Sequence, residues 1–426
     1  MIVVAESVRG MEEQLAIVSD FFRGFGLELN VKKCKSVLLR RTRDCMVVDT
    51  AAKWSVEDKE IPQVTPEETM KYLGVEFTPL KGPRVFDLEG RLRTMIERIG
   101  ARGIGLKPDQ RVALLCTYAV PRLLHQLKFC PVSGTTLDCL DRMIRMAVKD
   151  WVKLPPSATD GVLYAANRDG GLAIPKLKSI LPEAKAKTLK RLSRSTFSVI
   201  PEVLAALTDE ERISIWGDTR KRRGRKPWRT EEALGWEWLP TQGVGIQHFL
   251  GSNVSNSWLR RPPGVKASTW CRCLQSSFWP GNARATAGES GLNTNVGWVS
   301  LRPDLILHDG GGRAIVIDVA ITYETEDPDV FEKAYEAKAN KYRVLREYLA
   351  NEGLGETATF HGFILCSRGA FPKCNERVLV DVGIRNWHFK AMLSRRALFM
   401  SCDMLRYLED RPPGSWVSFY DMEANM

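Results

Sequence analysis

Residues 301–324, LRPDLILHDGGGRAIVIDVAITYE, constrain this chain more than any other stretch. LILH and RAIVIDVAIT have strand composition, and Asp-Gly-Gly-Gly between them supplies turn chemistry. With the hairpin centred on Gly311, Asp304 and Asp318 are equidistant from the turn and face each other. Directly opposed side chains have Cβ atoms about 4.5–5.5 Å apart. Two carboxylates that close repel unless a cation lies between them. Asp318, inside an apolar run, also carries a large desolvation cost if left unpaired. A hard divalent cation with oxygen ligands, Mg²⁺ or in its place Mn²⁺, answers both problems.

The next segment adds a base to the two acids. Residues 329–350 have helical periodicity, with Phe331, Tyr335, Tyr342, Leu345 and Leu349 on one face. Position 338 completes that stripe, and it is Lys338, about 20° from the stripe centre at 100° per residue. Lys341 lies at the stripe's edge. A lysine in an apolar stripe calls for an anion. A helix packed on the hairpin can aim Lys338 at the carboxylates and at a phosphate. The expected chemistry is phosphodiester hydrolysis, with Asp304 and Asp318 as metal ligands and Lys338 and Lys341 as catalytic cations. Glu324 shares the face of Asp318 if the strand runs that far, which makes it a candidate further ligand. The competing account is a surface hairpin with two ordinary aspartates and a snorkelling lysine.

Length and charge bound the rest. The 426 residues fit two or three domains, and a net charge of +11 favours a polyanionic partner. There is no apolar run of membrane-spanning length and no signal-peptide pattern at the start, so no membrane is expected. Ten scattered cysteines suggest a reducing compartment rather than a disulfide scaffold. Only Cys271 and Cys273 are close, and one CxC pair does not build a tetrahedral zinc site. Residues 220–229, RKRRGRKPWR, carry seven basic side chains: Arg220, Lys221, Arg222, Arg223, Arg225, Lys226 and Arg229. They read either as a solvated linker or as a segment for phosphate contact and nuclear import.

Residues 8–26 read as a helix, LELNVKKCKSVLLR as strand, turn and strand, and KYLGVEFTP as a short strand with a tight Gly74. Three amphipathic helices follow between 88 and 153, then an ordered loop at 161–177 and a helical stretch at 182–207. Residues 251–297, rich in Ser, Gly, Asn and Pro, read as a boundary. TFHGFILC should continue the nuclease sheet, and 376–400 should cover it.

Arg-Pro-Asp, thirteen intervening residues and then Asp318 in an apolar strand resembles the PD-(D/E)xK nuclease superfamily. Within it, the stretch is similar to the restriction-like endonuclease of site-specific non-LTR retrotransposons. The usual superfamily lysine, two residues after the second acid, is Ala320 here. The retrotransposon branch carries it on the following helix, which fits Lys338, with Lys341 and Tyr342 beside it. The N-terminal half agrees in order. IVVAES resembles the strand after the FADD aspartates of a reverse transcriptase palm. FGLELNVKKCK resembles the next palm motif, with Asn30 and Lys33 at its characteristic positions, and KYLGVEF resembles the primer-grip hairpin.

The resemblance implies an α+β multidomain chain. A palm remnant spans 1–85 and a helical thumb 86–157. A linker region, 158–297, holds the basic run and a degenerate zinc-knuckle segment, and an α/β PD-(D/E)xK nuclease-like domain spans 298–426. It implies Mg²⁺ or Mn²⁺ as cofactor, no zinc, target DNA and element RNA as partners, and action in the nucleus. Lys33 and the seven basic residues of 220–229 are the expected nucleic-acid contacts. Two departures matter. The sequence starts after the polymerase aspartates, so no reverse transcription is expected from this chain alone. The CCHC knuckle of the family is reduced to Cys271 and Cys273. The expected activity is metal-dependent nicking of target DNA; the alternatives are an inactive nucleic-acid-binding remnant and a stand-alone nuclease of the Holliday-junction type.

Overall fold

A computed structural model describes residues 2–84, 87–197, 199–208, 210–212, 231–261, 264–278, 303–308, 312–351 and 357–409. The fold is α+β, with 51% helix. Among the described residues, no helix is long and apolar enough to cross a membrane. The chain divides into two compact units: residues 1–94, 119–140 and 181–221, and residues 95–118, 141–180 and 222–426.

In the first unit, helix α1 (Val8–Gly24) starts at Ser7, whose hydroxyl accepts from the Gly10 amide and caps the first turn. Its Met11 and Leu15 pack on Val31, Trp54, Val56 and Ile61. The segment 27–40 is less regular than its sequence suggests. A 3₁₀ turn at Val31–Lys33 and a bridge between Ser36 and Gln63 replace the expected first strand, and only Leu39–Arg41 (β1) pairs, with Met46–Val48 (β2). Ser55–Val56 (β3) pairs with Lys59–Glu60 (β4). Met70–Tyr72 (β5), Val75–Thr78 (β6) and Gly82–Arg84 (β7) form an antiparallel sheet. Its first turn places both Leu73 (φ 47°) and Gly74 (φ 83°) in the left-handed region. That is the backbone a two-residue hairpin needs, and Leu73 adopts it at a steric cost.

The helical stretch comprises α2 (Leu88–Gly100), α3 (Pro108–Leu114), α4 (Val120–Leu127) and α5 (Gly134–Trp151). Residues 108–127 are not one regular helix: Leu115–Ala119 form a π turn just before Pro121. Proline lacks an amide and crowds the carbonyl one turn back, so the backbone widens there. Within the first unit, His125 Nε2 and Gln126 Nε2 bond the Leu73 and Gly74 carbonyls at 3.0 and 3.1 Å, fixing that hairpin tip.

In the second unit, the ordered loop expected at 161–177 begins as a short helix, α6 (Gly161–Tyr164). Leu172 and Ile174 donate to the carbonyls of Val162 and Leu163. Further along the chain, α7 (Leu177–Leu192) begins in this unit and from Leu181 belongs to the first, as does α8 (Val199–Ala206), and α9 (Glu231–Gly235) is again in the second. The first half of the expected boundary at 251–297 is packed. Trp258 is buried, and helix α10 (Ala267–Phe278) buries Trp270, Cys271, Cys273 and Leu274. Apolar side chains spaced along Trp270–Leu274 carry that helix, whereas composition alone suggests a boundary. Residues 279–302 lie outside the described set.

The C-terminal sheet has the order β10-β9-β8, with β8 Leu305–His308, β9 Arg313–Thr322 and β10 Thr357–Cys366. β8 and β9 are antiparallel, and β9 and β10 are parallel. The crossover carries α11 (Val330–Tyr342), a 3₁₀ turn and α12 (Arg346–Asn351). A parallel pair requires such a crossover. α11 buries Phe331, Tyr335, Ala339 and Tyr342. After the sheet come α13 (Asn375–Asp381) and α14 (Trp387–Glu409), so the covering helix expected at 376–400 is two helices. Asn375, fully buried, donates to the Ile364 carbonyl at 2.7 Å and accepts from its amide at 2.8 Å.

Candidate active site

The site is built by the β8–β9 hairpin and one face of α11. The ladder pairs Leu305 with Ile317, Ile306 with Val316, Leu307 with Ile315 and His308 with Ala314. Carried one step further, the register sets Asp304 level with Asp318, as the Gly311-centred count expects. Asp304 precedes β8 by one residue and is exposed. Its Oδ2 accepts from the Val319 amide at 2.7 Å, which ties it to the strand residue next to Asp318.

Asp318 is only 4% exposed. Lys338 Nζ donates to its Oδ2 at 2.6 Å, and the Tyr342 hydroxyl donates to its Oδ1 at 3.0 Å. Lys338 and Tyr342 are four residues apart on α11, so one helical turn delivers both to one carboxylate. Lys341 is linked to Asp318 through a relay: its ammonium donates to the Tyr342 hydroxyl at 3.1 Å. Helical periodicity places Tyr342 in the apolar stripe. It fills that role, at 2% exposure, and also aims its hydroxyl at the acid. The signal was its four-residue step from Lys338.

Burial by itself raises the Asp318 pKa. The Lys338 ammonium and the Tyr342 hydroxyl outweigh it and hold the carboxyl below its ordinary value. Lys341 is raised, first by its bond to Tyr342 and then by the charges of Asp318 and Asp304. A depressed carboxyl pKa stabilises the fold above the unfolded-state value, about 4, and that contribution is lost as pH falls through the folded-state value. In buffer free of divalent cations, Asp318→Asn should therefore be less stable than the wild type at pH 6, and the gap should narrow as pH falls below the unfolded-state value of about 4. Urea unfolding at several pH values measures this; a gap that is the same at both ends would contradict the pairing.

Among the described residues, no group of three or more His, Cys, Asp or Glu side chains is placed to hold a metal. Asp304 and Asp318 thus offer two carboxylates. Such a pair fits Mg²⁺, which keeps several of its waters and takes one or two carboxylates, and does not fit a closed zinc site. Cys271 and Cys273 are buried in α10 as free thiols.

The Glu324 carboxylate is engaged away from the Asp318 cluster. β9 ends at Thr322, and the Glu324 carboxylate turns into the protein, where it is fully buried. It accepts from the Arg368 amide at 3.2 Å, the Ala370 amide at 3.3 Å and the Ser367 hydroxyl at 3.3 Å. Burial pushes its pKa up, against the pull of the Arg368 charge and these amides. The period-of-two expectation failed because the strand ended before it reached this residue. Lys33 is exposed at the end of its 3₁₀ turn. Arg220, Lys221, Arg222, Arg223, Arg225, Lys226 and Arg229 lie outside the described residues.

No family model matches the chain. It is 27% identical to a retrovirus-related Pol polyprotein from a type-1 retrotransposable element R2 of Nasonia vitripennis, over 64% of this chain and 26% of that protein. A similar R2 polyprotein of Popillia japonica is 23% identical over 87% of this chain and 59% of its own length. The Pol polyprotein of the type-2 element R2DM of Drosophila melanogaster is 30% identical over 62% of this chain and 25% of its length. The chain thus spans between a quarter and three-fifths of the length of these curated relatives. The homologues of this chain are R2 retrotransposon Pol polyproteins, and they support its reading as part of a non-LTR retrotransposon polyprotein.

Proposed function

We propose that this chain carries the DNA-nicking site of a retrotransposon reverse transcriptase/endonuclease, with Asp304 and Asp318 as the metal ligands and Lys338 as the catalytic cation. The observation that carries this reading is the deeply buried Asp318, held by Lys338 and Tyr342, with the carboxylate of Asp304 level with it across the hairpin. A buried acid locked to a lysine on a neighbouring helix has little structural purpose at a hairpin end, where an apolar pair would pack as well. Mg²⁺ or Mn²⁺ bound there would supply Lewis-acid polarisation of a phosphoryl oxygen.

The chain's own residues do the remainder. Asp318 is ionised and oriented by its two donors, and the Val319 amide orients Asp304. Lys338 is one-third exposed, so its ammonium can also meet a phosphate and offset charge that develops on it. Tyr342 fixes the carboxylate plane, and Lys341 acts through Tyr342. Nicking of target DNA would expose a 3′ end for copying of element RNA. DNA and RNA as partners, and the nucleus as the place of action, follow from this reading.

A second reading has one observation in its favour: Lys338 already neutralises Asp318, and no third acid joins them among the described residues. The chain would then be an inactive nucleic-acid-binding remnant. One assay separates the two. With Mg²⁺ or Mn²⁺, the full chain should convert supercoiled plasmid to open circle, and Asp304→Ala should slow this by about 10²-fold, since losing one such contact costs several kcal/mol. A wild-type chain that binds DNA and never nicks it supports the remnant; equal nicking by Asp304→Ala removes that residue from the site.

A further inference from the structure

Glycine in the middle of a strand weakens it, because it lacks a side chain to pack and has the most entropy to lose. β10 nevertheless carries Gly362 at its centre, and the parallel register sets Gly362 opposite Asp318. The backbone there is not in the left-handed region, so conformation does not call for glycine. Space does. A Cβ at position 362 would lie 2.7 Å from the Tyr335 carbonyl oxygen, 2.9 Å from Tyr335 Cα and 3.0 Å from Lys338 Cβ.

We propose that Gly362 is a positioning residue for Lys338. The first two of those contacts are backbone atoms of α11, which cannot rotate out of the way. Ordinary contact begins at 3.4 Å, so the helix would have to retreat by about 0.7 Å at Tyr335. Lys338, three residues on and itself in contact with the missing Cβ, would move with it. Its 2.6 Å bond to Asp318 and the 3.0 Å bond from Tyr342 are set by that approach. The acid and the glycine sit side by side on neighbouring strands. The glycine thus admits the helix at the level where the helix must deliver its lysine. This inference rests on the nuclease reading for its consequence in catalysis, but the close approach and the Lys338–Asp318 pair stand without it.

The test is Gly362→Ala in the full chain. Its unfolding is followed by circular dichroism, and plasmid nicking is measured with Mg²⁺. We expect kcat to fall by about 10²-fold at nearly constant KM, since a misplacement of around 1 Å costs that much. A merely structural effect would persist whatever stands at position 338. The proposal instead requires that Gly362→Ala cost less than threefold when added to Lys338→Ala, a strongly non-additive cycle. Two results would overturn it: equal costs in both backgrounds, or no loss of kcat in the single variant.

Two further measurements keep it testable. If the wild type does not nick DNA at all, the nuclease reading fails by itself. The positioning claim is then read from acetylation of Lys338 by acetic anhydride, followed by mass spectrometry. Gly362→Ala should raise that rate several-fold, and an unchanged rate refutes it. If Gly362→Ala does not fold, Lys338→Arg serves instead. At the approach that glycine sets, the longer side chain overshoots Asp318 and kcat drops about tenfold or more; wild-type kcat in that variant refutes the proposal.

Discussion

The Asp318→Asn chain is expected to fold, to bind DNA and to have lost its nicking activity. The carboxylate is where Lys338 and Tyr342 converge, and the amide keeps its shape while removing its charge. A neutral ligand holds a divalent cation far less well, and the loss of several kcal/mol of transition-state stabilisation corresponds to a rate drop of about 10³-fold. Binding moves differently. Removing a negative charge from a basic chain does not weaken its hold on phosphates, so affinity and its salt dependence should stay within about twofold. Plasmid nicking and fluorescence anisotropy on the same preparation decide the matter. Nicking within tenfold of wild type would remove Asp318 from the chemistry, and a parallel loss of binding would point to misfolding.

The opposite phenotype is expected at Glu324. Glu324→Ala leaves the amides of Arg368 and Ala370 and the Ser367 hydroxyl without their acceptor. Leaving a buried donor without its acceptor costs about 1–3 kcal/mol, and more than one is left here. For a unit of this size that lowers the melting temperature by on the order of 10 °C. The fraction that stays folded at low temperature should nick DNA at the wild-type rate. Glu324→Gln separates the roles further. A variant that melts normally and fails to cut would make Glu324 a ligand after all, against the direction of its side chain.

These two acids show what a sequence can and cannot convey. Asp304 and Asp318 were legible because a glycine-rich turn fixes the register of a hairpin, and the pairing of neighbours in sequence follows by counting. Lys338 was legible because helical periodicity leaves one slot in the apolar stripe. Glu324 was not, because its partners lie more than forty residues away and its strand stops two residues short of it. Tyr342 was half legible: period places it inside, but only the fold shows its hydroxyl on Asp318. In the N-terminal half, KYLGVEF gave its turn away through Gly74. The segment 27–40 hid its 3₁₀ turn behind β-forming residues, and Pro121 was the one sign that residues 108–127 would not make a regular helix.

Asn375 carries a consequence of a different kind. Its amide meets both the N–H and the C=O of Ile364 on β10, the terminal strand of its sheet, as a partner strand would. A backbone edge with free donors and acceptors invites strands from other molecules. Here a side chain occupies that position in advance, so another molecule's backbone could pair at Ile364 only by first displacing a fully buried amide. At Ile364 the sheet is thereby guarded against growth into a fibre, at an edge that no strand closes among the described residues.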